Sequence, residues 1–248
     1  MMRRLGLTLL AQLRVMMRKP QVLALALAMP VIIMLFFGEL YINTNFGFPP
    51  IKAINFLLPQ YCVLAVMVLA FNTIGIGIAE TRGLLILKRI GGTPLPRGIL
   101  LAAMVISAAV LIILAVTALV LVGIIVFGGQ LKGNYVLLVA LLLIGIIFFA
   151  SMGIISGGLL PPATVPAANP LIFLVLGFLG GVFIPIQQFP SGLASVAKVT
   201  PSERMVDMLQ QVATYDHGLN SQIWQDVGVL GIWFVVIVGL GVRYFKWE

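Results

Sequence analysis

The chain has 248 residues and a formal net charge of +8, yet only 9% of its residues are charged while 61% are hydrophobic. Ordinary soluble domains carry about 25% charged residues, and so few polar groups could not cover a water-facing surface. The mean hydropathy of +1.17 therefore excludes a water-soluble protein. Because the basic residues flank apolar runs instead of sharing one surface, nucleic-acid binding is not indicated. We expect a single integral membrane domain that covers residues 1–248.

The N-terminal segment, residues 1–20, predicts an amphipathic helix. On a helical wheel one half carries leucine and methionine, and the other half carries polar residues and the basic residues Arg3, Arg4, Arg14, Arg18 and Lys19. Such a helix lies in the membrane interface with its basic face toward anionic headgroups. It would act as a simple anchor or as a lever beside a transport pathway. Pro20 suits the first turn of the helix that follows.

Six apolar runs follow, at roughly 21–39, 57–79, 98–127, 135–160, 169–187 and 225–242. A transmembrane helix needs about 20 apolar residues, so the fold class is an all-α membrane protein with six transmembrane helices. The third run is longer than a bilayer requires and should tilt or project from it. Pro30 in the first run and Pro185 late in the fifth predict local bends.

The distribution of basic residues predicts the orientation of the chain. With the N-terminus in the cytoplasm, eleven of the fifteen lysines and arginines lie on the inner side, and only Lys52, Lys132, Lys198 and Arg204 lie outside. This bias follows the positive-inside rule, so both termini are predicted to be cytoplasmic. The loop at 161–170 has no charge, and its side follows only from the number of spans.

The longest outer loop, residues 188–224, contains the sequence TPSERMVDMLQQV at 200–212. Thr200 and Glu203 have the spacing of a capping box, and Pro201 stands at the first helical position. Apolar residues then recur at helical spacing. A short outer helix before the last span is therefore predicted, as a structural lid or as a lid that contacts substrate.

The residues that would carry catalysis or metal binding are missing from the sequence. There is one histidine and one cysteine, the sequence has no G-x-x-x-x-G-K-[ST] motif, and no acidic residue stands near the centre of a predicted span. Ion-coupled carriers often need such intramembrane acids. We expect no catalytic residue, no metal site and no cofactor bound by this chain.

Polar residues inside the predicted spans are few and uncharged. They either pack between helices or contact a transported substrate, and the candidate substrate path consists of Asn72, Thr73, Ser107 and Thr117. The sequence is compatible with both roles.

The stretch ETRGLLILKRIGGTPLPR, residues 80–97, is the main charged loop between spans on the predicted cytoplasmic side. Glycines bracket a piece about two turns long that ends at Pro94 and Pro96, which cannot continue a helix. Lys88 and Arg89 lie opposite Leu87 on a helical wheel. The loop would either fix orientation through its positive charge or dock as a short surface helix into a soluble partner.

The residues Leu87-Lys88-Arg89-Ile90 and Thr93-Pro94-Leu95-Pro96-Arg97 resemble the cytoplasmic loop of permease subunits from type 2 ABC transporters. An acidic residue and a glycine precede that motif in the family, as Glu80 and Gly83 do here, although Gly83 stands further upstream than usual. The resemblance implies a coupling helix at about 83–91 that contacts an ATPase. The implied ATPase-coupling residues are Glu80, Arg82, Gly83, Leu87, Lys88, Arg89, Pro94 and Arg97.

The resemblance extends over nearly the whole chain, and the stretch 185–190 with the outer helix after it resembles the drug-resistance branch of the family. It implies an exporter in a bacterial or archaeal plasma membrane, and the mostly apolar spans favour an amphiphilic drug- or lipid-like substrate that enters between helices. A separate ABC ATPase subunit would hold ATP and Mg, and a second permease subunit, identical or related, would complete the pathway through the lipid membrane. The alternatives are an ATP-independent channel or carrier and a membrane assembly scaffold.

Overall fold

The structure, a computed structural model, describes residues 2–18, 20–46, 51–85 and 96–244. It is mainly helical. The helices are α1 (Met2–Met17), α2 (Pro20–Leu40), α3 (Ala53–Val66), α4 (Ile74–Gly83), α5 (Arg97–Phe127), α6 (Tyr135–Leu159), α7 (Val165–Leu179), α8 (Ser191–Ala197), α9 (Pro201–Ala213) and α10 (Ser221–Tyr244). A π-helical turn at Met67–Thr73 joins α3 to α4, and a 3-10 turn covers Ile186–Gln188. Two short strands, β1 (Asn45–Phe46) and β2 (Ile51–Lys52), pair antiparallel before α3.

In the part of the chain that the structure describes, four helical segments are long and apolar enough to cross a membrane: 53–83, 98–127, 135–159 and 221–244. The helices α2 and α7 are apolar but shorter in their described apolar parts, 27–40 and 165–179. The observed architecture is that of an all-α, multi-pass membrane protein, as the composition predicts.

The segment 53–83, which we call the central span, lies in the middle of the molecule. Every residue of α3 is buried, and the largest fully buried side chains include Tyr61, Phe56 and Phe71. The helices α2, α5 and α9 pack on α3, while α6 and α7 pack on the π turn and α4. A helix covered with apolar side chains on all sides is expected at such a position.

Glycines of α6 allow close packing against the central span. Gly153 and Gly157 of α6 are spaced as a G-x-x-x-G motif, which allows two backbones to approach in a membrane. A Cβ atom on Gly153 would lie 2.6 Å from the carbonyl oxygen of Phe71, and one on Gly157 would lie 2.5 Å from that of Gly75. No side chain fits between these backbones, so this contact fixes the distance between the two helices.

We name the two ends of the molecule after the segments found at the two ends of the central span. We call the end at Gly83, where α6 also ends, the loop end, because it leads into the predicted coupling loop. We call the opposite end the α9 end. There Gly128, with φ +63, ends α5, and the side chain of Asn134 caps α6 by accepting the backbone N–H of Val136 at 2.9 Å.

Several local predictions are confirmed. The helix α2 begins at Pro20, and α9 covers Pro201–Ala213 with the hydroxyl of Thr200 accepting the backbone N–H of Glu203 at 3.4 Å. The reciprocal bond of the predicted capping box is not formed, because the backbone N–H of Thr200 donates to the carbonyl of Ala197 at 2.9 Å instead of to the Glu203 carboxylate.

The fifth apolar run differs from its prediction. Its helix, α7, begins at Val165 and ends at Leu179, instead of covering 169–187. The chain turns at Gly181, whose φ of +68 suits glycine, and the apolar residues after it fold back into the core, where Val182 is buried. Pro185 therefore stands after the helix and does not bend it.

Candidate functional site in the central span and at its two ends

Arg82 lies buried at the loop end of the central span, with only 4% of its surface exposed. Its Nη1 atom donates hydrogen bonds to the carbonyl oxygens of Gly157, at 2.6 Å, and Leu160, at 2.9 Å. The last carbonyls of a helix lack intrahelical partners and carry partial negative charge. Residue 161 is a proline and cannot supply the N–H that Gly157 would otherwise accept. Arg82 therefore caps the end of α6 and holds it against α4.

The other predicted coupling residues lie on or beyond this end. Glu80 and Gly83 are exposed at the end of α4, and a Cβ atom on Gly83 would lie 3.5 Å from Pro162. Leu87, Lys88, Arg89 and Pro94 lie outside the described residues. Arg97 is the first residue of α5.

The N-terminal helix α1 packs along α5. Arg14 and Arg18 are exposed and Leu9 and Leu13 are half-buried, while Leu10 and Met17 of the predicted apolar half are exposed. The interfacial position of α1 stays a prediction. Arg3 and Arg4 belong to α1, but the structure does not describe their side chains, and Lys19 lies outside the described residues.

The candidate substrate-path residues do not form one cluster. Asn72 and Thr73 lie half-buried on the π turn, which packs against α6 and α7. Ser107 is buried and donates its hydroxyl to Met104 of its own helix, at 2.9 Å, so it is already satisfied. Thr117 is an exposed residue of α5 and lines a cavity near the α9 end.

A buried asparagine, which the sequence pattern does not single out, lies on α7, the helix that packs against the π turn and α4. Asn169 of α7 is fully buried, and neither its Oδ1 nor its Nδ2 atom has a hydrogen-bond partner. Its amide packs directly on Gly75, just after the π turn, and the Oδ1 atom of Asn72 also lacks a partner. Buried polar groups of this kind are costly, and π turns are frequent at functional sites. In the sequence, Asn169 stands where the predicted loop at 161–170 meets the next apolar run, so a loop position would be expected for it.

At the α9 end, polar side chains bind the first turns of α3. Pro59 has no N–H, so the carbonyl of Asn55 loses its helical partner, and Thr214 donates its hydroxyl to that oxygen at 2.8 Å. Gln210 donates to the carbonyl of Phe56 at 3.0 Å, and Gln60 donates to Gly181 at 2.9 Å. The central span is thus held to the segments around α9 at one end and to α6 at the other.

A charged cluster joins α9 to the last span, α10. Arg204 donates to Asp226, which is fully buried, at 2.7 Å. The Nε atom of Arg204 lies 3.8 Å from Glu203, and Asp207 accepts hydrogen bonds from Gln211 and Gln222. Burial above all, and then the Asp207 carboxylate, raise the pKa of Glu203 to about 7, while Arg204 acts in the opposite direction. No group of three metal-ligating side chains occurs among residues 2–18, 20–46, 51–85 and 96–244.

The raised pKa of Glu203 predicts a pH-dependent stability. The fold disfavours the charged carboxylate, so the wild type loses stability as pH rises from about 4.5 to about 7, by at most about 3 kcal/mol. The variant Glu203→Gln should therefore melt several degrees above the wild type at pH 8 and together with it at pH 4.5. Thermal melting in detergent across this range measures the effect. The matched control is Asp216→Asn, at an exposed position; the same pH profile in both variants would contradict the assignment to Glu203.

The comparisons with known proteins give a family and a relative of this chain. Residues 4–213 match the family described as "ABC-2 type transporter". The chain is also similar to "Putative transport permease YvfS" of Bacillus subtilis (strain 168), with 25% identity over 200 residues that cover 78% of each chain. The family match extends from α1 through the central span to the end of α9. This chain therefore belongs to the ABC-2 type transporter family.

Proposed function

We propose that this chain is the transmembrane permease subunit of an ATP-driven exporter. A separate ABC ATPase subunit would bind ATP and Mg, and two permease subunits would enclose the path of an amphiphilic drug- or lipid-like substrate. Membership of the ABC-2 family supports a transport permease. The proposed setting is the plasma membrane of a bacterium or archaeon with both termini in the cytoplasm, so the loop end faces the ATPase and the α9 end faces outward.

The observation that carries this proposal is the connection that the central span makes between the two ends of the molecule. At the loop end, Arg82 fixes the base of the proposed coupling segment to α6. At the α9 end, Gln210 and Thr214 hold the beginning of the same span. A buried, close-packed helix transmits displacement because packed interiors deform little. An ATPase that favours one position of the loop would thereby favour one arrangement of the α9 end.

The buried location of Arg82 assigns it a specific part in this proposal. Its guanidinium contacts α6, so it would position the coupling segment from within the membrane domain. Contact with the ATPase would fall to the segment itself, where Lys88 and Arg89 supply positive charge. The proposed substrate path runs past Asn72 and Thr73 on the π turn, against which α7 packs. The Oδ1 atom of Asn72 and both side-chain amide atoms of Asn169 lack hydrogen-bond partners there.

Affinity purification in mild detergent from the native host tests the proposal. An ATPase with a P-loop motif should co-purify with the wild type, and charge reversal by Lys88→Glu or Arg89→Glu should reduce its recovery about tenfold or more. The matched control is Lys52→Glu, which reverses an exposed charge at the opposite end of the central span. If the wild type purifies as a monodisperse protein without any ATPase, the carrier or scaffold alternatives replace this proposal.

A further inference from the structure

A cavity of about 280 Å³ lies near the α9 end, between α3, α5, α6 and α9. Its wall is almost wholly apolar. The only side-chain heteroatoms among the residues that line it belong to Cys62, Thr117 and Tyr135, and the hydroxyl of Tyr135 donates to the carbonyl of Leu131 at 3.3 Å. Water is not expected to fill a cavity that offers so few hydrogen-bond partners.

The cavity opens sideways between α5 and α6. These helices follow each other in the chain but make few direct contacts. Leu121, Val139 and Tyr135 line the cavity and are 52%, 54% and 66% exposed. Both helices are long and apolar enough to cross a membrane, so we expect lipid hydrocarbon to surround this opening.

The turn between α5 and α6 carries a positive charge between two candidate membrane spans, where a lipid headgroup is expected. Lys132 is exposed, and its backbone N–H donates to the carbonyl of Ala213 at the end of α9, at 3.1 Å. Tyr135 begins the next helix, and tyrosine favours the membrane interface. A cation at the rim and an apolar cavity below it match the two parts of a phospholipid.

We propose that a phospholipid from the leaflet at the α9 end inserts one acyl chain into this cavity and places its phosphate near Lys132. The chain would restore dispersion contacts that the wall residues lack when the cavity is empty. It would touch Pro59 of the central span and Leu209 of α9 at the same time, so the bound lipid would hold these two elements together. This site is separate from Asn72, which is ten residues, or about 15 Å, further along the central span than Cys62.

Photo-crosslinking tests the proposal on the isolated chain, without an ATPase or ATP. The protein is placed in nanodiscs of phosphatidylglycerol that carries a diazirine in one acyl chain, irradiated, and mapped by mass spectrometry. We expect adducts on the segment 59–62, which is buried in α3. The variant Val139→Trp should lower their yield at least about fivefold, because the indole fills the opening and removes the contacts of the chain. Lys132→Gln should lower it roughly threefold, because one headgroup contact is lost.

The matched control is Val136→Trp, one turn away on α6 at a position that is 79% exposed and does not line the cavity. Its adduct yield on 59–62 should equal that of the wild type. Equal yields in Val139→Trp and Val136→Trp, or adducts only on exposed helix faces, would overturn the proposal. Because the experiment needs only the chain in a membrane, its outcome is independent of whether an ATPase partner exists.

Discussion

Replacing Arg82 by alanine is expected to lower the melting temperature of the isolated chain by roughly 6–12 °C. The change removes two hydrogen bonds from a buried charged group, worth on the order of 3 kcal/mol together. It also leaves the carbonyls of Gly157 and Leu160 without their donor, and Pro161 cannot replace it. In the proposed complex the same change should uncouple ATP hydrolysis from transport, because the base of the coupling segment is no longer fixed to α6.

Two variants separate this capping role from a general effect of positive charge. Arg82→Lys keeps the charge with a shorter, single donor group and should recover about half of the loss. Arg243→Ala removes an exposed arginine from the last turn of α10 and should change stability by no more than about 0.5 kcal/mol. Differential scanning fluorimetry compares all three variants. A melting temperature for Arg82→Ala equal to that of Arg243→Ala would show that the capping interaction contributes nothing.

Replacing Gly153 by leucine is expected to prevent the central span from packing on α6. A Cβ atom there meets the carbonyl oxygens of Phe71 and Ala70 at 2.6 and 3.0 Å, and backbone atoms cannot move aside as a flexible side chain can. Overpacking costs about 1–3 kcal/mol where side chains adapt, so a clash between two backbones should reach or exceed about 3 kcal/mol. We expect aggregated protein on size-exclusion chromatography or a loss of at least roughly 6 °C in melting temperature.

A glycine elsewhere in the membrane domain provides the control. A Cβ atom on Gly239 of α10 would meet no atom within 4 Å, so Gly239→Leu should be neutral or slightly stabilising through helix propensity. Gly153→Ala should fall between wild type and Gly153→Leu, since it adds the Cβ atom but nothing beyond it. Normal folding of Gly153→Leu would mean that the two helices can separate without loss of the fold.

The sequence predicts the spans of this protein better than their ends. A membrane span needs mostly apolar residues, so a long apolar run indicates a span directly. The runs at 98–127 and 135–160 agree closely with α5 and α6. The fifth run is misjudged because Val182 is apolar for a different reason: it folds back into the protein core. Hydropathy alone does not distinguish an apolar residue in a membrane helix from one in a buried loop.

The polar interactions of the candidate site, unlike the spans, cannot be predicted from the sequence. Arg82 is recognisable from the sequence as a basic residue at the end of a span, between Glu80 and Gly83, which the family resemblance singles out. Its partners are carbonyl oxygens more than 70 positions away, and every residue type offers such an oxygen. Pro161 is the one signal in the sequence, since it deprives Gly157 of a donor. Asn169 gives no signal at all, because its burial depends on the packing of α7 against the central span.

The sequence by itself predicts that this protein lies in a membrane, where the long helices α5 and α6 run, and where α2 and α9 begin. These features depend on composition, on local periodicity and on caps a few residues long, so no distant contact is needed to define them. Tertiary structure alone decides which groups meet: Arg82 with the end of α6, Gly153 with the π turn, Arg204 with Asp226, and the cavity beside Cys62. Each of these joins segments far apart in the chain, and their geometry is fixed only when the helices pack.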